Sequence, residues 1–116
     1  MKVNELINEL KQQNLDFEVS RNQKQIALYY HSVGKYKKFL EIHSNNVNEV
    51  TYVKFHSQTL ISSSMKSSVT SSGDDDCSIT KKIVFDNNYK DILDISIDSY
   101  NKVKDLYDLK LLKKSN

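Results

Sequence analysis

The sequence predicts an α+β domain, with an N-terminal helix, a four- or five-stranded antiparallel sheet and a long C-terminal helix packed on the sheet. Three observations carry this. The apolar period is 3.6 residues at the start of the chain, changes to two from Leu15, and returns to 3.6 after Asn88. The connections between the alternating segments are short and polar, which favours antiparallel neighbours. With 116 residues, 38% of them hydrophobic, the chain has material for one modest core. Residues 1–116 therefore read as a single domain.

Val3, Leu6, Ile7 and Leu10 recur at i, i+3, i+4 and i+7, predicting a helix over residues 2–13. Asn14 is its expected stop, because Asn tolerates the left-handed conformation. Leu15, Phe17 and Val19 then alternate with polar residues as a half-buried strand, and Arg21 to Lys24 form a polar turn. Ile26, Leu28 and Tyr30 make a second strand, and a turn around Gly34 covers Val33 to Lys37. A third strand spans Phe39 to His43, Ser44 to Asn46 turn the chain, and a longer fourth strand spans Val50 to Ile61. Residues 62–76 are Ser-rich, with Met65 and Val69 their two apolar side chains, and read as a loop. A polar edge hairpin turning at Gly73 is the alternative. Ile79 to Phe85 resumes strand character.

From Asn88, the residues Tyr89, Leu93, Ile97, Tyr100, Val103, Tyr107 and Leu111 fall on one helical face. Asn88 is the expected cap with Asp91 three residues on, and Lys110, Lys113 and Lys114 suit the negative end of the helix dipole. Leu93, Ile95 and Ile97 also alternate, but length and capping favour helix.

Composition excludes several function classes. No apolar run is long enough to cross a bilayer, and the N-terminus is amphipathic rather than a signal peptide, so no membrane role is expected. One cysteine, Cys77, rules out an internal disulfide, and a cytoplasmic setting is expected. The net charge of +2, from 17 basic and 15 acidic residues, is too balanced to imply nucleic acid by itself. All basic residues but Arg21 are lysine, and Asn, Ile and Tyr are frequent where Ala and Pro are not. That is the bias of an AT-rich genome, such as a low-GC bacterium or its phage.

Two surfaces invite a functional reading. Asp91, Asp94, Asp98, Asp105 and Asp108 share a sector of roughly 100° on the last helix, opposite its apolar side. With Asp74, Asp75 and Asp76 in the preceding loop they could imitate nucleic-acid phosphates or engage a basic groove on a protein partner. An exposed helix face also needs charge simply to be solvated. In the first half, Lys35, Tyr36, Lys37 and Lys38, near Tyr29, Tyr30 and His31, combine cations with aromatics as a single-strand binder would. They equally fit a lysine-rich turn in a lysine-rich chain.

Nothing points to catalysis or to a cofactor. His31, His43 and His56 fall on strands that reverse direction, which does not bring three ligands to one metal. Cys77 follows three aspartates that would raise its pKa rather than activate it. Two glycines, Gly34 and Gly73, cannot build a Walker loop, a dinucleotide fingerprint or a nucleophile elbow.

The opening Met1-Lys2-Val3-Asn4-Glu5-Leu6-Ile7-Asn8-Glu9-Leu10-Lys11, leading into the strand around Phe17 and Val19, resembles small type II-A anti-CRISPR proteins from phages of low-GC bacteria. The resemblance covers about the first twenty residues. It implies a short helix before an antiparallel sheet, a helical end, and binding to Cas9 where it would read the target's PAM, with carboxylates replacing DNA phosphates. This chain departs from the acidic pattern of that group by its net charge of +2, so its aspartates would have to act locally. Three functions follow as expectations. One is an inhibitor that binds a host nucleic-acid-binding protein, with a Cas9-type nuclease as partner. The others are a nucleic-acid-binding accessory protein and a structural or oligomerisation domain.

Overall fold

In a computed structural model of the chain, residues 1–22, 25–32, 35–71, 79–84 and 89–114 are described. For residues 31, 32, 35, 36, 64, 67, 68, 71, 79, 80 and 108–114 the description covers the backbone alone. The elements are α1 (Val3–Gln12), β1 (Phe17–Asn22), β2 (Gln25–Ser32), β3 (Lys35–Ser44), β4 (Val50–His56), a 3₁₀ helix (Ser63–Ser68), β5 (Val69–Ser71), β6 (Ile79–Val84) and α2 (Tyr89–Lys114). The α+β class, the antiparallel sheet and the long helix packed on it are as the periodicity predicts.

In α1, Val3, Leu6, Ile7 and Leu10 are the buried side chains, the stripe set by their spacing. Asn14 adopts φ 60°, the left-handed stop that its side chain tolerates better than most. The carboxylate of Glu5 accepts the Lys2 N–H at 3.3 Å, occupying one backbone donor at the helix start.

The sheet has six strands in the order β1-β2-β3-β4-β6-β5, one more than the upper expectation. The first four form the predicted meander. The chain then passes to the edge as β5 and returns as β6 between β5 and β4, all pairs antiparallel. The extra strand comes from the Ser-rich segment. Residues 63–71 form a turn of 3₁₀ helix and a three-residue strand paired with β6, so the loop reading is corrected there. Hydroxyl side chains give no alternation to read, but they suit an edge strand with one face wet. Residues 72–78 lie outside the described residues.

Two strand boundaries also move. β3 begins at Lys35, four residues before Phe39, because its early residues pair with Tyr29 to Ser32. β4 ends at His56 rather than Ile61, where Thr59 N–H bonds back to the His56 carbonyl and turns the chain. β1 is an edge strand, and Val19 is 37% exposed, so this strand is buried mainly at Phe17.

Alternation sorts the sheet into two faces. Leu28, Leu40, Ile42, Val53, Phe55 and Ile83 point to one side and join α1 and α2 in a single core. Their neighbours Ala27, Glu41, His43, Tyr52, Lys54 and Lys82 point to the other. Both helices contribute to the first side, leaving the second without a helix among the described residues.

α2 buries Ile92, Ile95, Ser96, Ser99, Tyr100, Val103 and Tyr107. This face is rotated from the predicted stripe, since Leu93 and Ile97 are half-buried and two serines are wholly enclosed. Tyr100 meets Phe39 edge-on at 5.2 Å and Tyr30 at 5.5 Å, and Phe17 meets Phe39 at 5.8 Å. Such edge-to-face pairs add to the value of burial alone.

Ser99 explains the rotation. Its hydroxyl donates to the Phe39 carbonyl at 2.6 Å and accepts the His56 N–H at 2.9 Å. The β3–β4 ladder ends with Leu40 opposite Phe55, and one further rung would set Phe39 against His56. The hydroxyl stands in that rung. Both residues lie at register shifts, Phe39 having no partner on β2 and β4 slipping against β6 between Phe55 and His56. A bulge strands backbone groups, and buried ones must be satisfied.

Ser99→Ala would leave a donor and an acceptor unpaired in the core, a loss of about 2–4 kcal/mol in unfolding free energy. Urea denaturation should show that loss, with Ser96→Ala as the milder control because the Ser96 hydroxyl only returns to the Ile92 carbonyl of its own helix.

Candidate functional site

α2 and the segment after β4 enclose an acidic hollow. Asp91, Asp94 and Asp98 recur at helical spacing on one flank of α2, and Leu60, Ser62, Met65 and Ile95 complete the lining around a volume of about 240 Å³. Leu60 is 73% exposed at its rim. A hollow with carboxylate walls and an apolar side suits the charged head and aliphatic stem of a lysine or arginine.

The three aspartates are not equivalent. Asp98 Oδ2 accepts the Leu60 N–H at 2.7 Å, so it fixes the chain leaving β4 as well as adding charge. Its neighbours continue the same job, with Ser99 in the sheet and Tyr100 on the strand entry. The Tyr100 hydroxyl accepts the Asp16 N–H at 3.0 Å and donates to the Asp16 carbonyl at 3.2 Å. Asp94 and Asp105 are exposed and Asp91 is half-buried. Asp108 is on α2, but its side chain lies outside the described residues, as do Asp74, Asp75, Asp76 and Cys77 altogether.

The second predicted surface is reorganised. Lys35, Tyr36, Lys37 and Lys38 lie on β3 rather than in a turn, and the side chains of Lys35 and Tyr36 lie outside the described residues. Lys37 is exposed. Lys38 reaches Glu41 at 3.3 Å and is part of an internal network on the helix-free face. Glu41, only 5% exposed, also meets His43 Nε2 at 2.5 Å. Its carboxyl is held below the usual range by the His43 contact and by Lys38, against the opposing effect of burial. His43 stacks on Tyr52 at 4.1 Å with planes 14° apart, and the Lys82 ammonium sits 4.0 Å over the Tyr52 ring. Lys54, Lys82 and Tyr52 were not singled out from the sequence. Strand register is the signal that groups them, because each looks unremarkable in its own segment.

The histidines part company in the fold. His43 is on the helix-free face, whereas His56 is buried beside α2, its Nδ1 accepting the Gln58 N–H at 3.1 Å. Burial pushes the His56 pKa down, and Lys102 and Lys81 push the same way. No group of three His, Cys, Asp or Glu side chains among the described residues is placed to hold a metal ion. No described helix is long and apolar enough to cross a membrane.

Two outcomes follow. Asp98→Ala should cost about 1 kcal/mol through the lost Leu60 bond, with Asp94→Ala near neutral, when urea midpoints are compared. Stability should also fall in acid in two stages. His56 favours its neutral form when folded, so its contribution is complete above the ordinary value of 6.5 and is lost as pH falls through its lower folded pKa. Glu41 favours its charged form, so its contribution is complete above 4.5 and is lost below that. Unfolding midpoints against pH should show both declines, and Glu41→Gln should shrink the lower one, leaving the part that Glu49 supplies through the N-terminal ammonium and Lys2.

No family model matches the sequence, and no curated protein or solved structure matches it.

Proposed function

We propose that this chain works by binding: a phage or mobile-element protein that occupies the nucleic-acid-binding groove of a host protein, with a Cas9-type nuclease as the partner. The observation that carries the reading is the acidic flank of α2. Asp91, Asp94 and Asp98 converge on one hollow with exposed Leu60 at its rim, and Asp105 continues the flank two turns further on. Groups held on a rigid helix lose little freedom on binding, and carboxylates in a row attract the cationic side chains that line such a groove. The opening of the chain, with its resemblance to small anti-CRISPR proteins, supports the choice of partner. Asp74, Asp75 and Asp76, outside the described residues, are the second acidic group that the sequence offers to such a partner.

The test is a DNA-cleavage assay with purified RNA-guided nucleases of the Cas9 type. The chain should slow cleavage at stoichiometric concentration. Replacing Asp91, Asp94 and Asp105 with lysine should raise the concentration needed by about tenfold or more, since each rim contact contributes about 0.5 kcal/mol or more. Asp98 is left intact because it anchors Leu60. Circular dichroism checks that the variant folds. A chain that leaves every nuclease tested at full activity overturns the reading, and an unaffected triple variant overturns the acidic mechanism.

A further inference from the structure

The sheet ends in two unlike edges. The outer row of N–H and C=O groups on an edge strand is a template for another strand, and proteins guard it with brevity, lysine, proline or a bulge. At one edge, β5 is three residues long. At the other, β1 has six residues without lysine or proline, and it pairs with β2 in unbroken register from Phe17 to Asn22. Shifts interrupt the β2–β3, β3–β4 and β4–β6 pairs, so β1 and β2 form the most regular long ribbon in the sheet. The Arg21 guanidinium is turned aside onto α1, donating to Asn4 Oδ1 at 2.8 Å, which leaves Glu18 as the charge on the edge itself.

Every residue from Glu18 to Asn22 is exposed, and among the described residues no strand pairs with the outer side of β1. A hollow of about 340 Å³ is lined by Glu18, Val19, Ser20 and Tyr29. Ser20 shares the helix-free face with Ala27, whereas Val19 shares the core side with Leu28, so the hollow wraps around the edge. The strand is firmly seated all the same. Phe17 packs edge-on against Phe39, and the Tyr100 hydroxyl holds both backbone groups of Asp16. An edge fixed in advance loses little freedom when it pairs.

We propose that β1 pairs antiparallel with β1 of a second copy of this chain, about a two-fold axis at Val19, joining the two sheets into one. The register follows from side-chain chemistry. Directly opposed residues of an antiparallel pair share a face, so an axis at Val19 sets Val19 against Val19, Glu18 against Ser20 and Phe17 against Arg21. Apolar meets apolar, carboxylate meets hydroxyl and ring meets guanidinium, with no like charges directly opposite. A second copy fits better than a foreign strand, because it brings the same preformed edge, whereas a loose strand must first be ordered. Pairing uses up both β1 edges and leaves the short β5 edges outside, so assembly closes at two. Six residues span about 20 Å, a contact at the small end of the interface range, so the dimer is a weak one. It draws on none of the aspartates of α2, so it stands or falls separately from the inhibitor reading.

The experiment is sedimentation equilibrium of the full chain from about 10 μM to about 1 mM, the range of a weak dimer. The average mass should climb from 13.5 kDa toward twice that value. Val19→Lys sets two ammoniums face to face at the axis and should weaken association by about tenfold or more. Val84→Lys alters a valine on β6 that is 56% exposed and four strands away from β1, and it should leave the mass curve unchanged. Circular dichroism checks both variants. In the parent chain, amide exchange along β1 should slow as concentration rises, with that of β5 unchanged. The Asp91, Asp94 and Asp105 lysine variant should associate as the parent does. A chain that keeps its monomer mass at the highest concentration, equal association in Val19→Lys, or slowed exchange in β5 instead of β1 would overturn the proposal.

Discussion

The hydroxyl of Ser99 is the contact on which the rest of the architecture depends. It fills the last rung between β3 and β4, where both strands carry register shifts and a carbonyl and an N–H would otherwise be buried unpaired. Seating that hydroxyl brings α2 against the sheet at one rotation. Asp98 is then turned toward Leu60 and Tyr100 toward Asp16. Three successive residues thus tie one helix to the strand exit, the central sheet and the strand entry. Apolar burial supplies much of the stabilisation, but it is not directional. These hydrogen bonds select one packing among several that would bury similar area.

The same rotation sets the electrostatic layout. It turns Asp91, Asp94 and Asp98 to the side, around a hollow closed by the 60–65 segment, and leaves the far face of the sheet to lysines and rings. A net charge near neutrality therefore conceals surfaces of opposite sign. On the sheet, Glu41 is enclosed by its own neighbours, so its charge organises Lys38 and His43 more than it faces solvent. Such a network fixes side chains that would otherwise be mobile, at the expense of the long-range field of its members.

Legibility differed between fold and site. The helix α1, the meander and the long α2 were written in local period, and the Asn14 stop in capping chemistry, while Asn88, the expected cap of α2, lies outside the described residues. Of the acidic set, sequence spacing placed Asp91, Asp94 and Asp98 on one helical face, and in the fold the three line one hollow. It could not separate Asp98, which anchors a backbone N–H, from Asp94, which is exposed. The basic set was drawn around Lys35 to Lys38 because they are adjacent in the chain. Lys54 and Lys82 come from β4 and β6, and only pairing across strands sets them side by side.

What the sequence determined by itself is the list of elements apart from the 3₁₀ helix and β5, since a helix or a half-buried strand announces its period within about a dozen residues. What only the tertiary structure decided is how those elements are registered. The edge strand β5, the bulges, the rotation of α2 and the roles of its aspartates depend on partners far along the chain. Ser96 and Ser99 show why. Hydropathy ranks them as polar and assigns them to the surface, yet both are fully enclosed. Their burial is favourable because partner groups are waiting, and for Ser99 those partners are Phe39 and His56 on two strands distant in sequence.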